Sequence, residues 1–171
     1  MATAELEALS AEQALAARPE LAEVWTGVTA ARLGEILERH AARDGFTFLA
    51  ARENGRLAGF TYGYRGGPGE WWHDRVSAAL DEGARTRWLS PGHFEYVELH
   101  VRPELQGRGI GGRLHDALLE RQTASRTAVL STQVDNERAL RLYRGRGWRV
   151  VVPELDFGSG RPFSILGRDL P

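Results

Sequence analysis

The stretch "HVRPELQGRGIGGRL", residues 100–114, decides how the rest of the chain is interpreted. An alternating apolar run ends at Pro103, four glycines then fall within six residues, and an amphipathic stretch follows at once. Glycines let the backbone approach a ligand closely, and the first amides of a helix attract phosphate. Arg108 and Arg113 add positive charge beside them. The stretch therefore predicts a strand, an anion-binding loop and a helix, in that order.

Residues 107–112 also satisfy the pattern G-x-G-x-x-G of dinucleotide-binding folds, and Asp135 follows as an acidic residue further on. In those folds the glycines come directly after the strand, whereas here residues 102–106 intervene and include a proline. The motif also lies two thirds of the way along the chain, which leaves too little sequence for the remaining sheet. A G-x-x-x-x-G-K-[ST] phosphate loop is excluded because the chain has no lysine. The sequence therefore argues against both a dinucleotide and the nucleotide of a lysine-containing phosphate loop as the bound anion.

Composition narrows the class of protein. The chain has 171 residues, 42% hydrophobic and 26% charged, which is typical of one soluble globular domain. The net charge of −1 provides no basic field for nucleic acid. Since there is no cysteine, disulfides and thiolate nucleophiles are excluded. With no membrane-length apolar run and no apolar signal core, we expect a cytoplasmic protein without nucleic-acid or membrane partners.

Hydrophobic periodicity and turn residues predict a mixed α/β order of elements. The expected elements are helices over 4–18 and 20–43 broken at Pro19, a hairpin turning at Asn54-Gly55, a loop-helix-loop excursion over 65–92, a strand over 93–101, a helix from 110 to about 125, a strand over 128–134, a short helix capped by Asp135 or Asn136, and two closing strands.

Two motifs carry a family resemblance. "VRPELQGRGIGGRLHDALL" resembles the acyl-CoA signature of the GNAT superfamily of N-acetyltransferases, whose core is [QR]-x-x-G-x-[GA]. "NERALRLYRGRGW" resembles the second signature, N-x-x-A-x-x-L-Y-x-x-x-G-[FW]. The matching residues are Gln106, Gly109 and Gly111 in the first motif, and Asn136, Ala139, Leu142, Tyr143, Gly147 and Trp148 in the second.

The resemblance covers residues 45–152 well, except for the excursion over 65–92. It implies a single domain over 1–171 with the GNAT fold: N-terminal helices within 1–44 and a central mixed sheet of about six to seven strands, flanked by helices. Two neighbouring parallel strands of that sheet are expected to splay. It also implies a possible homodimer.

The resemblance further implies acetyl-CoA as co-substrate and no metal. The diphosphate would lie on the loop made by Gln106, Gly107, Arg108, Gly109, Ile110, Gly111 and Gly112. The pantetheine arm would pair with the backbone of Leu99, His100 and Val101, as an added strand does. Asn136 would contact the arm and also cap the following helix. A free amide at the strand splay would stabilise the oxyanion.

The implied reaction is direct attack by an amine, which must first lose a proton. Tyr143, at the family's tyrosine position, would lie beside the coenzyme and donate a proton to the departing thiolate. The family's carboxylate on this strand matches Glu95, which shares one strand face with Val97 by alternation. Glu98 is the alternative base if a bulge shifts the phase.

The excursion holds "GEWWHD", in which Trp71, Trp72 and His73 are candidates for an aromatic wall that binds a cationic acceptor. One of the two tryptophans is instead expected to anchor the segment to the core. We expect an N-acetyltransferase acting on a primary amine of a small molecule. Two alternatives remain: an acyltransferase for a protein or peptide N-terminus or a longer acyl chain, and a non-catalytic acyl-CoA-binding protein.

Overall fold

The computed structural model describes residues 3–171. Its strands are Glu5–Leu9 (β1), Thr47–Glu53 (β2), Arg56–Gly66 (β3), His93–Val101 (β4), Thr127–Gln133 (β5), Arg149–Asp156 (β6) and Pro162–Asp169 (β7). Its helices are Ala11–Ala16 (α1), Arg18–Val24 (α2), Ala30–Ala41 (α3), Trp71–Ala78 (α4), Glu82–Trp88 (α5), Ile110–Leu119 (α6) and Glu137–Arg144 (α7), with a 3-10 turn at Pro103–Leu105.

The strands follow the order β1-β2-β3-β4-β5-β7-β6 in one mixed sheet, which confirms the predicted mixed α/β fold. β4 and β5 pair in parallel, at Phe94 with Ala128 and Glu95 with Val129, while β5, β6 and β7 pair antiparallel. The splay of β4 from β5 beyond Glu95 stays a prediction.

The chain forms two compact units, and β4 contributes to both. Among the described residues, the first unit comprises 3–64 and 97–121, and its β1, β2 and β3 make an antiparallel meander. Helices α1, α2 and α3 cover an apolar cluster on this meander, in which the rings of Phe48, Phe60 and Tyr62 pack together. The predicted turn at Asn54-Gly55 is confirmed, with positive φ at both residues.

The second unit comprises residues 65–96 and 122–171. Helices α4 and α5 pack a small apolar cluster, centred on Val76 and Leu80, against Val129 of β5 and Ile165 of β7. The segment over 65–92 therefore has two helices where one was predicted.

The helix predicted over residues 4–18 is wrong in its first part, because Glu5–Leu9 is a strand that pairs antiparallel with β2. α1 begins only after Ser10, whose side chain and that of Gln13 form a capping box. The break predicted at Pro19 is present but lies at Ala17, because Pro19 is tolerated in the first turn of α2, where its N–H would have no partner. The predicted helix over 20–43 is divided instead between α2 and α3, which Thr29 caps.

The boundaries of the later elements agree closely with the predictions. β4 spans the predicted residues 93–101, whereas α6 ends at Leu119, several residues earlier than expected. Among the helices of residues 3–171, none has the length and apolar character needed to cross a bilayer.

Candidate active site

The loop before α6 has the backbone shape that its glycines predict. Gly107 and Gly109 both have φ of +81°, in the left-handed region that residues with a Cβ avoid. No atom lies within 4 Å of the position that a Cβ would take at either residue. The loop therefore needs glycine for its backbone conformation, and its surface is open to a ligand.

The N-terminus of α6 presents free amides. Gly109 is the N-cap residue, and a glycine has no side chain to accept a hydrogen bond from the first turn. The first intrahelical bond runs from the Arg113 amide to the Gly109 carbonyl, at 3.1 Å. The amides of Ile110, Gly111 and Gly112 precede that bond, and they lie at the positive end of the helix dipole. This arrangement fits a diphosphate and provides the donors that such a group needs.

Arg108 is held by an acidic partner rather than extended toward solvent. Its guanidinium donates to both carboxylate oxygens of Glu53, at 3.1 and 2.6 Å. Glu53 ends β2, so the ion pair joins the glycine loop to the meander of the first unit. Glu53 therefore neutralises part of the charge that the sequence assigns to the loop.

A second contact joins the loop to the end of β4. The side-chain amide of Gln106 donates to the carbonyl of Val101 at 2.9 Å. The signature glutamine thus fixes the turn between strand and glycines. Direct pairing of Leu99, His100 and Val101 with a pantetheine arm stays a prediction.

Glu98 and His100 form a carboxylate–imidazole pair in the first unit. His100 Nε2 donates to Glu98 Oε2 at 2.8 Å, since the carboxylate can only accept. The imidazole stacks on Trp25, with ring centroids 4.6 Å apart and planes 21° apart. Glu98 is therefore committed to His100 in this structure.

The contacts of β4 show a change of phase within its second half. Val97 packs against the apolar cluster of the first unit, and so does His100, through Trp25 and Phe60. Val97 and His100 are three residues apart, and on a regular strand such residues face opposite sides of the sheet. Because both contact the same cluster, the strand must contain an irregularity between them, such as a bulge. This is the phase shift under which Glu98 was named as the alternative to Glu95.

In the second unit, Glu95 is 5% exposed and lies beside a buried histidine, His93, on the same face of β4. Gly66 makes this proximity possible, because a Cβ there would collide with His93 Nε2 and lie 3.0 Å from Glu95 Oε2. Burial is the main cause that lowers the pKa of His93 to about 4; the hydrogen bond with the Leu89 carbonyl opposes it and the neighbouring His73 adds to it, so His93 is neutral at pH 7.

The three residues named for the acceptor site have different environments. Trp71 is 58% exposed and contacts Phe157, whereas Trp72 is half-buried and donates from Nε1 to Ser131 Oγ at 3.1 Å. Trp72 thus anchors α4, whereas the exposed ring of Trp71 lies under the Arg75 guanidinium, 5.7 Å from the ring centroid. His73 is buried and stacks on His93, with centroids 5.3 Å apart. Contact of these residues with an acceptor stays a prediction.

Tyr143 lies on α7 within a cluster of three aromatic rings. Its ring is 6.1 Å from that of Tyr96 and 5.7 Å from that of Trp148, both at steep angles, and the residue is 8% exposed. Asn136 caps α7 by accepting from the Ala139 amide at 3.1 Å, as predicted. Because Tyr96 and Glu95 are adjacent on β4, Glu95 and Tyr143 lie toward opposite faces of that strand.

Sequence reasoning named neither His93 nor Gly66 nor Glu53. Strand alternation already placed His93 on the face of Glu95, two residues away, and was the signal that was not used. The contacts of Gly66 and Glu53 with the site come from segments that are distant in the sequence, so no local pattern indicated them. Within residues 3–171 no group of three or more His, Asp or Glu side chains is arranged to hold a metal ion.

Comparison with known proteins gives consistent results. The family model described as "Acetyltransferase (GNAT) family" matches residues 12–148. A GCN5-like protein acetyltransferase of Mycobacterium tuberculosis is 35% identical over 156 residues, which cover 86% of this chain and 75% of that protein.

Two solved structures share the fold. A GNAT-family protein of Desulfovibrio desulfuricans has a TM-score of 0.69 at 17% identity, covering 98% of this chain and 99% of its own. A phosphinothricin acetyltransferase of Sinorhizobium meliloti, solved in complex with acetyl-CoA, has a TM-score of 0.65 at 18% identity, covering 98% and 89%.

Proposed function

The chain belongs to the acetyltransferase (GNAT) family, and from this premise we propose that it transfers an acetyl group from acetyl-CoA to a primary amine. The transfer is a direct attack of the amine on the thioester, without a covalent enzyme intermediate. The absence of cysteine agrees with this route, since a thiol nucleophile is not available.

The main support for the proposal is the set of free backbone amides at the start of α6. Three amides of its first turn precede the first intrahelical bond, and the loop leading to them has two glycines with φ of +81°. Amides so arranged bind a diphosphate through backbone donors and the helix dipole. The residues that would hold the coenzyme's diphosphate are therefore 106–112, with Arg108 adding charge when it leaves Glu53.

Glu95 is the proposed base. An alkylammonium has a pKa of about 10.4, so a proton must be removed before the nitrogen can attack. Glu95 is buried on β4, whereas Glu98 is paired with His100 at 2.8 Å. Oε2 of Glu98 is already occupied by the His100 ring, so it is less accessible to the acceptor's proton. The structure therefore supports Glu95 over Glu98.

Tyr143 is the proposed acid. Its ring is held by Tyr96 and Trp148, so its hydroxyl has a defined position, which a proton donor needs. In the attack the N–C bond forms and the C–S bond breaks. Glu95 takes one proton of the ammonium before the attack, and Tyr143 gives one to the thiolate. The nitrogen loses a second proton as the amide forms, and that proton restores the Tyr143 hydroxyl through solvent.

The acceptor is proposed to be a small-molecule amine that Trp71 contacts through its exposed ring. A second candidate, a primary amine on a protein, is favoured by the relative at 35% identity, which is named a protein acetyltransferase. The two candidates share the reaction and differ only in the size of the group that carries the nitrogen.

Binding is tested first, by titrating acetyl-CoA into the purified chain and measuring heat and thermal shift. A ligand that binds only the folded state stabilises it by about 2.7 kcal/mol at one hundred times its dissociation constant. We expect a clear rise in melting temperature with acetyl-CoA. No heat and no shift would refute the proposal.

Turnover is tested next with panels of amines, by following release of the CoA thiol with a thiol-reactive dye. The chain has no cysteine, so the enzyme contributes no background signal. Small amines, peptides and intact proteins form the three arms. The chain also has no lysine, so side-chain acetyl-lysine found by mass spectrometry in the protein arm comes from the acceptor and not from self-acetylation.

A further inference from the structure

Arg102, the residue that follows β4, is a buried arginine just before the glycine loop. It is 5% exposed, and arginine is among the residues that folded proteins bury least often. Taking an ion out of water costs free energy, and the ion pair that it then makes inside the protein seldom gains more than that cost. A stabilising role therefore does not explain this buried guanidinium, and another role is needed.

The hydrogen bonds of Arg102 join the end of β4 to two other elements. Its main-chain amide donates to the Ala58 carbonyl at 2.9 Å, and its Nε atom donates to the Leu57 carbonyl, both on β3. Its Nη2 atom donates to Glu23 Oε2 of α2 at 2.8 Å. Because a guanidinium is planar and its donors have fixed directions, these bonds together hold the side chain in one orientation.

The chain between Arg102 and the glycines has little conformational freedom. The Arg102 carbonyl accepts from the Leu105 amide at 2.9 Å, which closes the 3-10 turn, and the ring of Pro103 fixes its own φ. The Gln106 side chain returns to the Val101 carbonyl at 2.9 Å. The connection is short and stiff, so the position of Arg102 sets the position of the loop that follows.

The acidic partner of Arg102 lies at the surface, which makes the pair accessible to experiment. The Glu23 side chain is 59% exposed. Glu20, one turn earlier on the same helix, makes a pair of the same 2.8 Å length with Arg52 of β2. Exposed partners of this kind add little to stability. The two pairs differ in what they hold, because Arg102 begins the connection to the glycine loop and Arg52 does not.

We propose that Arg102 is a positioning residue for the diphosphate of the coenzyme. It holds the end of β4 against β3 and α2, and so keeps the amides of residues 110–112 where the diphosphate binds them. The proposal rests on the proposed function above. Arg102 takes no part in the chemistry, since its guanidinium bonds lead to Leu57 and Glu23 rather than to the loop.

The first test compares two acetyl donors: acetyl-CoA, and a high concentration of S-acetylpantetheine, which has the same thioester but no diphosphate. Arg102→Met replaces the guanidinium by an apolar side chain of similar length. With an amine acceptor found in the panels, kcat/KM for acetyl-CoA is expected to fall about tenfold, because a displaced loop binds the diphosphate less well. For S-acetylpantetheine, kcat/KM should stay within about twofold of the wild-type value. An equal fall with both donors would overturn the proposal.

The second test uses the matched acidic residues of α2. Glu23→Ala removes the partner of Arg102, and Glu20→Ala removes a pair of equal length with Arg52, while alanine suits the helix in both cases. Glu23→Ala is expected to weaken binding of acetyl-CoA about threefold with little change in melting temperature, and Glu20→Ala to bind normally. Titration calorimetry and thermal denaturation measure both variants. Equal affinities in the two would contradict the proposal.

A folded Arg102→Met variant with wild-type affinity for acetyl-CoA would overturn the role of Arg102. If that variant does not fold, Glu23→Ala still decides, because the Glu23 side chain is exposed and its removal leaves the interior intact. Failure of the wild-type chain to bind acetyl-CoA is a different result, and it would refute the proposed function itself.

Discussion

The glycine loop over 106–112 and the pair His93–Glu95 are both polar sites, but they are built in opposite ways. The loop is open, and its donors are main-chain amides that depend on the φ of +81° at two glycines. The pair is buried, and its polar atoms belong to side chains whose environment comes from Gly66, His73 and Leu89. A backbone site depends on conformational freedom, whereas a buried side-chain site depends on the exclusion of water.

This difference has consequences for mutation. In the loop, a side chain at Gly107 or Gly109 strains the backbone, whereas the side chains of Gln106 and Arg108 tether the loop to its neighbours. In the pair, a change of one atom removes a proton acceptor or leaves a buried polar group unpaired, which costs about 1–3 kcal/mol. The following predictions test each side of the comparison.

The largest effect is expected from Glu95→Gln. If the buried carboxylate is the base, kcat falls at least about 100-fold while affinity for acetyl-CoA is unchanged, because general base catalysis is worth that much. Glu98→Gln is the matched variant, and it removes the carboxylate that pairs with His100 while Glu95 stays in place. Steady-state kinetics with titration of acetyl-CoA measures both. A larger loss in Glu98→Gln would transfer the role of base to Glu98.

Acid is expected to destabilise the protein through its buried histidines. Burial lowers the pKa of His93 and of His40 to about 4 each, below the 6.5 of an unfolded chain. Between pH 6.5 and 4 the unfolded state binds more protons, so the free energy of unfolding falls as pH falls through this window. For His93 the loss amounts to roughly 3 kcal/mol. Denaturant melts at several pH values test this, and a flat profile would contradict it.

Tyr143→Phe is expected to lower kcat roughly tenfold. The effect is smaller than at Glu95 because a thiol has a pKa of about 8.5 and leaves as thiolate with little help. The ring contacts with Tyr96 and Trp148 remain, so the melting temperature should change little. Kinetics and calorimetry on the same preparation check both statements. Unchanged kcat would leave Tyr143 as a packing residue only.

Gly109→Ala is expected to weaken binding of acetyl-CoA about tenfold and to destabilise the fold, since a left-handed residue with a Cβ costs roughly 1–2 kcal/mol. Gly83→Ala is the control. Gly83 lies in α5 without a positive φ, and its Cβ would make an ordinary contact at 3.5 Å with Asp81 Oδ1. That variant should gain stability slightly and bind normally. Equal affinity in the two variants would contradict the loop's role.

The smallest effect is expected from Glu53→Gln, which releases Arg108 from its ion pair. The freed guanidinium should tighten binding of acetyl-CoA about two- to threefold at low salt, the size of a partly exposed ion pair. Arg108→Gln should act in the opposite direction. Titration calorimetry of acetyl-CoA at two salt concentrations measures both variants. Weaker binding by Glu53→Gln would contradict the prediction and would show that the ion pair is needed for the conformation of the loop.

Much of the site followed from local sequence. The turn at Asn54-Gly55, the bounds of β4 and the cap at Asn136 all depend on residues within a few positions of one another. The predicted membership of the GNAT family is confirmed, because both motifs combine local geometry with fixed spacing.

The N-terminal strand shows where local reasoning stops. "ELEAL" contains good helix formers, and the prediction of a helix over 4–18 followed from them. Pairing with β2, which lies about forty residues later in the chain, makes residues 5–9 a strand instead. Propensities of a fraction of a kilocalorie per residue are overridden when a sheet edge offers a full row of hydrogen bonds.

By itself the sequence determined the backbone conformation of the glycine loop, the alternation along most of β4 and the identity of the family. Each of these depends on a residue's own dihedral preferences and its near neighbours. Only the tertiary structure decided that Glu53 holds Arg108 across 55 positions, that β4 changes phase after Val97, and that His93 lies buried beside Glu95 against Gly66. Burial and pairing arise from segments far apart in the chain, and no local pattern encodes which of them will meet.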